Sequence, residues 1–258
     1  MARRHDENLL SRPSLGIGLS RTLQTEALIL RSIRYGEADR ILHLYSPEDG
    51  RLGAIAKGAR KTKSRFGARL EPFTRAKMIL RVGKGDLMAV SGVETIEANA
   101  GLRTSAASLD WAARACDAVS RLLDGPDPHA NAYNLLVNAL ASVASDQALA
   151  TKATQVSFRL KLLVAIGLQP HLSSCAGCGS KDGITAFSGE AGGVICSECG
   201  GDGFPLGGEA LDWMVAALGS PLAQTGETDE RALRQAERAV NDTVEFHANI
   251  RLRPAAAR

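Results

Sequence analysis

The chain lacks the long apolar runs that would place it in a membrane. None of its 258 residues belong to a run of about 18 apolar residues, so the sequence predicts no membrane-spanning helix. Residues 1–21 also lack the apolar core of a secretory signal, and their Ser, Gly and Pro content predicts a flexible tail. We therefore expect a cytoplasmic protein with reduced cysteines.

The patterns typical of enzymes are missing as well. The sequence contains no G-x-x-x-x-G-K-[ST] phosphate loop, and its five histidines form no triad or metal-binding pattern. Cys116 stands alone in a predicted helix, where a small core residue is a better interpretation than a nucleophile. Nothing in the sequence therefore predicts a catalytic site.

Charge is distributed unevenly along the chain. Residues 21–100 carry 15 Lys and Arg against 9 Asp and Glu, a net charge of +6, whereas residues 101–258 carry 13 against 17, a net charge of −4. Hydrophobic residues make up 45% of the chain, which is enough for a packed core. Because local charge steers partners, we expect the N-terminal part to meet an anionic partner.

The positive charge is concentrated in residues 57–69, K-G-A-R-K-T-K-S-R-F-G-A-R, which we call the basic loop. Phe66 is its one aromatic residue, and it contains no acid. Cations beside a flat apolar ring suit a phosphate backbone with stackable bases. The alternative is a solvated loop that only keeps the protein soluble. The six cations of the loop are Lys57, Arg60, Lys61, Lys63, Arg65 and Arg69.

Residues 22–100 show the alternation and turn signals of a small β-barrel. Alternation along the fourth predicted strand places Arg75, Lys77 and Arg81 on one face. Five strands in this length predict an OB-fold, which commonly binds single-stranded nucleic acid. An SH3-like barrel is the alternative, and periodicity does not separate the two. The strands are predicted at residues 27–33, 41–46, 51–57, 73–82 and 87–93.

From residue 101 the apolar spacing becomes helical. Ser108 is expected to cap the first helix, Val164 to lie on the buried stripe of the third, and Gly167 to end the third. We predict an α-helical domain in two parts, 101–170 and 204–250, followed by a tail at 251–258. The helices are predicted at residues 108–123, 131–144, 154–167, 208–219 and 229–250.

Two C-x-x-C pairs lie between these two parts, in a predicted zinc-binding module at 171–203. The pairs are Cys175 with Cys178 and Cys196 with Cys199, and 17 residues separate them. Two thiolates from each pair complete a tetrahedral zinc site, with short strands at 184–187 and 192–195 as the arms of a ribbon. Four thiolates leave no position for water, so the zinc is expected to be structural. Neither pair follows a proline, as a zinc deaminase requires, and no βαβ unit surrounds them, as a thioredoxin-like pair requires.

Three segments carry a resemblance to a known family. They are R-Y-G-E-x-D at 34–39, A-K-G-A-R-K at 56–61, and S-R-F followed by L-E-P-F at 64–73. In order and spacing they resemble the N-terminal domain of the RecO family of bacterial DNA repair proteins. The cysteine module after G-L-Q-P also resembles family members that keep four cysteines. The resemblance runs from about residue 24 to 245, and Glu71 stands where the family more often has a neutral residue.

The resemblance implies a non-enzymatic recombination mediator at the nucleoid, built from an N-terminal OB-fold and a helical domain with an embedded zinc ribbon. Such proteins bind single- and double-stranded DNA and anneal complementary strands. With RecR they help RecA replace single-stranded-DNA-binding protein (SSB), whose acidic-apolar C-terminal tail docks on the helical domain. Phe66 or Tyr35 is expected to stack on a base, and the alternative for Phe66 is that it plugs the mouth of the barrel. The predicted DNA-binding residues are Arg34, Lys57, Arg60, Lys61, Lys63, Arg65, Phe66, Arg69, Arg75, Lys77 and Arg81.

Two other function classes stay open. In the first, the zinc ribbon and helices form a protein-binding adaptor, and the basic loop serves only solubility. In the second, a zinc-ribbon transcription or RNA-binding factor uses the same loop on RNA. Charge reversal at Lys61 and Arg65 tests the first class, and competition between RNA and DNA of one sequence tests the second.

Overall fold

The N-terminal domain is a closed five-stranded barrel in the computed structural model, which describes residues 22–83, 85–125 and 127–255. The strand order is β1-β2-β3-β5-β4, and β4 pairs with β1 to close the barrel. All neighbouring strands are antiparallel except β3 and β5, which are parallel. This topology confirms the predicted OB-fold and excludes the SH3-like alternative. The strands are β1 (Thr22–Tyr35), β2 (Asp39–Ser46), β3 (Gly50–Ala56), β4 (Arg75–Arg81) and β5 (Met88–Glu97).

The barrel interior follows from the alternation of its strands. Along β4, Ala76, Met78 and Leu80 are buried inside the barrel, while the residues between them face outward. The strand starts two residues later than predicted because Phe73 has a φ of 69°, which is incompatible with an extended strand. The predicted tail at 1–21 lies outside the described residues.

Among the described residues, five α-helices form the second domain. They are α1 (Ala106–Leu122), α2 (Ala130–Ser145), α3 (Lys152–Ala165), α4 (Gly208–Gly219) and α5 (Glu230–Ala248). Gly167 ends the third helix with a φ of 81°, as predicted. Two details were wrong: Ser105 caps α1 by accepting the N–H of Ser108, and Val164 is 40% exposed. Among the described helices, none is long and apolar enough to cross a membrane.

The barrel and the helices share a hydrophobic core. Trp111, Tyr133 and Phe158 of the first three helices pack in one cluster. The same cluster includes side chains from the outside of the barrel, Leu28, Leu30, Tyr45 and Phe73. The helical domain therefore packs against one apolar face of the barrel and is not connected to it by the chain alone.

The cysteine module is a three-stranded sheet inserted between α3 and α4. Its strands are β6 (Ile184–Ser188), β7 (Gly193–Cys196) and β8 (Phe204–Pro205), in the order β7-β6-β8. The first two strands confirm the predicted arms. Residues 251–255 also differ from the predicted tail, because Ala255 is buried and its N–H donates to Glu237 Oε1 at 2.5 Å.

Candidate nucleic-acid interface and metal centre

The basic loop connects β3 to β4, and two apolar side chains fix it to the barrel. Phe66 is 2% exposed and Leu70 is 1% exposed, and both belong to the barrel core. At the start of the loop, the N–H of Gly58 donates to Asp39 Oδ1 at 2.8 Å, and the N–H of Arg60 donates to the carbonyl of Ala38 at 2.8 Å. The loop therefore has an anchored main chain, which positions its cations outward.

All six cations of the basic loop are exposed. Its arginines make long contacts with main-chain carbonyls: Arg60 with Gly36 at 3.4 Å, and Arg65 with Val90 at 3.5 Å. Arg69 makes a similar contact with Val93 at 3.5 Å. A guanidinium has five N–H donors, so one long contact leaves it able to bind phosphate oxygens.

The burial of Phe66 corrects one prediction. A ring that is 2% exposed has no free face for a base, so its predicted stacking role is wrong. The Arg65 guanidinium lies over the ring, 4.8 Å from its centroid. The other candidate, Tyr35, is 54% exposed at the end of β1, beside the exposed Arg34. Of the two interpretations of Phe66, the structure therefore favours burial in the barrel over stacking on a base.

The outer face of β4 is less cationic than the sequence predicted. Arg75 forms an ion pair with Glu26 of β1, with Nη2 and Oε1 2.7 Å apart. Lys77 lies directly opposite Glu26 on β1 and Glu94 on β5. Residues directly opposite are close enough for their charges to interact. Arg75 and Lys77 therefore face carboxylates, whereas Arg81 lies opposite Thr22 and Ala89.

Two carboxylates near the loop have defined partners. Glu71 Oε1 pairs with Arg40 Nη2 at 2.9 Å. This ion pair compensates the negative charge of Glu71, the residue that departs from the family pattern. Asp39 holds the start of the basic loop by accepting a hydrogen bond from the N–H of Gly58. The sequence singled out R-Y-G-E-x-D but gave Asp39 no such role, because the N–H that donates to it lies 19 residues further along the chain, at Gly58.

The four cysteines come together in one cluster. Their Sγ atoms all lie within 4.8 Å of one another, and those of Cys178 and Cys196 are 3.7 Å apart. A tetrahedral ion with metal–sulfur bonds of about 2.3 Å requires sulfurs about 3.8 Å apart. The spacing therefore fits a metal ion held by both C-x-x-C pairs.

Main-chain N–H groups favour the thiolate form of one of these cysteines, Cys175. The N–H groups of Cys178 and Cys196 point at Cys175 and lower the pKa of its thiol to about 6, which favours the thiolate. Gly177 has no side chain where a Cβ would lie 3.1 Å from Cys199 Sγ. Gly179 and Gly200 take positive φ values of 78° and 55° at the two knuckles.

Comparison with known proteins covers both domains. Residues 20–99 match the family described as "Recombination protein O N terminal", and residues 103–254 match "Recombination protein O C terminal". A "DNA repair protein RecO" of Rubrobacter xylanophilus is 36% identical over 225 residues, 84% of this chain and 89% of the relative. A protein of the same name from Bifidobacterium animalis subsp. lactis is 40% identical over 173 residues, 66% of this chain and 71% of the relative. One from Anaeromyxobacter dehalogenans is 32% identical over 239 residues, 87% and 91% of the two chains.

Proposed function

The chain belongs to the recombination protein O family, and we propose that it is a DNA repair protein that binds single- and double-stranded DNA through its basic loop. The observation that carries this proposal is the anchored loop on an OB-fold barrel, with six exposed cations. Phosphate contacts of this kind give affinity without reading sequence. The proposal includes Arg34 and Arg81, with Tyr35 as the residue that stacks on a base.

We propose that the protein anneals complementary strands and acts without catalysis of its own. Two strands repel each other through their phosphates, and a cationic surface that contacts both lowers this repulsion. The anchored main chain of the loop favours this role because little conformational entropy remains to be lost on binding. Arg75 and Lys77 are expected to contribute less, because they face Glu26 and Glu94.

The experiment for this proposal reverses two charges of the loop, Lys61→Glu and Arg65→Glu. Six phosphate contacts on single strands predict a slope of log K against log salt of roughly −4, at about −0.7 per contact. The double variant is expected to flatten the slope by at least about 1.4 and to slow annealing.

The matched control is Arg231→Glu with Arg234→Glu, two exposed cations of α5. It makes the same change in net charge and is expected to bind as the native protein does. A native slope near zero, or a loop variant that binds DNA normally, would contradict DNA binding by the loop and favour the adaptor class. Stronger binding of RNA than of DNA of the same sequence would favour the RNA-binding class.

We further propose that the protein works with RecR to help RecA replace SSB on DNA, and that its helical domain docks the SSB tail. A groove of about 540 Å³ supports this site because apolar side chains line it, including Leu172, Val215 and Leu218. Val215 is 50% exposed there. The variant Val215→Asp is expected to weaken binding of an acidic-apolar tail peptide without changing DNA binding. Unchanged peptide binding would place the dock elsewhere.

We also propose that the metal is one structural zinc ion. Four thiolates are the ligand set of structural zinc sites, and they fill the tetrahedron so that no position remains for a substrate. Cys175 and Cys196 are buried while Cys178 and Cys199 are exposed, so the site lies at the surface of the module.

A further inference from the structure

A second group of cations lies where the barrel meets α1. It brings together side chains from β1, β3, α1 and the C-terminal segment, which are far apart in the sequence. We call these residues the junction arginines: Arg31, Arg51, Arg121 and Arg253.

Three of the junction arginines, Arg31, Arg121 and Arg253, share the carboxylate of Asp117, which is buried in α1. Arg121 Nε lies 2.7 Å from Asp117 Oδ2, and Arg253 Nε lies 3.5 Å from the same oxygen. Arg31 Nη2 lies 3.6 Å from the other oxygen, Oδ1. Three guanidinium groups around one carboxylate leave an excess of positive charge. Arg51 adds a fourth, because its Nη1 donates to the carbonyl of Ser120 at 3.4 Å.

The excess charge faces solvent. The side chains of Arg31, Arg121 and Arg253 are 50%, 42% and 55% exposed, whereas that of Asp117 is 9% exposed. The positive charge also acts on a neighbouring histidine. Burial lowers the pKa of His43, and the charges of Arg51 and Arg31 lower it further. His43 lies directly opposite Arg31 in the pairing of β1 with β2.

One junction arginine, Arg51, lies at the opposite end of β3 from the basic loop. Arg51 is near the start of β3 (Gly50–Ala56), and Lys57 follows its end. At about 3.3 Å per residue, the two positions are about 20 Å apart. The face formed by the second and third strands is the one that OB-folds use for oligonucleotides. A groove of about 300 Å³ lies beside β1 and α1, and its lining includes Arg31, Arg253, Asp117 and Phe73.

We propose that the junction arginines form a second phosphate-binding site, so that DNA runs from the basic loop along β2 and β3 to the helical domain. This inference rests on the proposed DNA binding and names a further part of its site. Guanidinium groups suit it because their planar donors match phosphate oxygens. At 3.4 Å per stacked nucleotide, 20 Å lengthens the path by about six nucleotides.

The test uses Arg31→Ser with Arg51→Ser in the full-length protein. These changes spare the 2.7 Å pair of Arg121 with Asp117, so the buried carboxylate keeps a partner. Binding is measured by fluorescence anisotropy against salt, with oligothymidylates of about six and about 25 nucleotides. The variant is expected to bind the long strand more weakly, with a salt slope flatter by about 1.4, and to bind the short strand as the native protein does.

Three further variants of the protein complete the test. Arg231→Ser with Arg234→Ser is the matched control and should change neither strand. Lys61→Glu with Arg65→Glu should weaken both strands, which separates failure of the basic loop from failure of this site. Asp117→Asn removes the negative charge that Arg31, Arg121 and Arg253 share, so it should tighten binding of the long strand. The inference is overturned if Arg31→Ser with Arg51→Ser binds the long strand as the native protein does, and that result would favour an acidic protein segment as the ligand of the junction arginines. It is also overturned if Asp117→Asn binds the long strand no more tightly than the native protein.

Discussion

Glu237 is the carboxylate that two cations of the helical domain share. Lys152 Nζ lies 3.2 Å from Glu237 Oε2, and Arg159 Nη1 lies 3.7 Å from Oε1. Arg159 is 1% exposed, and burial lowers the pKa of its guanidinium to about 10, against the opposing effect of Glu237. Arg159 Nη2 also donates to the carbonyl of Arg253 at 2.6 Å. Glu237 therefore compensates the buried charge of Arg159, and it also holds the C-terminal segment by accepting the N–H of Ala255.

Replacing Glu237 by Gln should destabilise the protein strongly. The change leaves Arg159 buried without its counter-charge, which typically costs about 3–5 kcal/mol of unfolding free energy. The control is Glu230→Gln in the same helix, whose pair with Arg234 is exposed and should be worth less than about 1 kcal/mol. Urea unfolding followed by tryptophan fluorescence measures both. Equal losses in the two variants would show that the Arg159 charge is compensated by other groups.

At the scale of one element, the cysteine module has little apolar material around its metal centre. The core near the sulfurs consists of Ile195 with two of the cysteines, and Ile184 and Ala186 pack against it. Further along the same sheet, Phe187 and Phe204 join the core of α3 to α5. The knuckles are therefore expected to depend on the metal, while the far end of the sheet depends on the helices.

Cys199→Ser should reduce bound zinc from about one per chain to well under one, because three thiolates hold the ion more weakly than four. Hydrogen exchange should become faster in residues 175–199 and change little in α5. Cys116→Ala is the control: this cysteine is buried in the helical core, and its loss should leave the zinc content unchanged. Elemental analysis of freshly purified, reduced protein gives the stoichiometry. A native protein with well under one zinc per chain would contradict the proposed site.

At the scale of the whole molecule, the two domains are joined by packing and by polar contacts. Leu30, on the outside of the barrel, is 2% exposed in the core that contains Trp111. Tyr133 of α2 donates to Glu26 of β1 at 2.9 Å. The N–H of His129 donates to the hydroxyl of Tyr45 at 3.1 Å. The barrel and the helical domain are therefore expected to unfold together.

Leu30→Ala tests this coupling. Truncating a buried leucine typically costs about 2–5 kcal/mol, and both tryptophans lie outside the barrel, at Trp111 and Trp213. The variant should therefore lower the denaturant midpoint seen by tryptophan fluorescence as much as the midpoint seen by circular dichroism. Ile79→Ala, at a 40% exposed barrel position, should shift neither by much. A native fluorescence midpoint in Leu30→Ala would show that the domains unfold independently.

Local patterns were predictable because they depend on residues that are close in sequence. Alternation predicted five barrel strands, helical spacing predicted five helices, and two C-x-x-C pairs predicted the cysteine cluster. The cap of α1 was misplaced by three residues because Ser105 and Ser108 both suit a cap, and only the main-chain conformation selects Ser105. Strand β8 was missed because two residues show no period.

The sequence by itself determined where the positive charge and the thiols lie along the chain. Only the tertiary structure decided what surrounds them. It buried Phe66 in the barrel, and strand register placed Glu26 and Glu94 opposite Lys77. It also assembled the junction arginines around Asp117 from four distant segments. The physical reason is that charge and burial act through space, so their effects depend on neighbours that strand pairing and helix packing bring together.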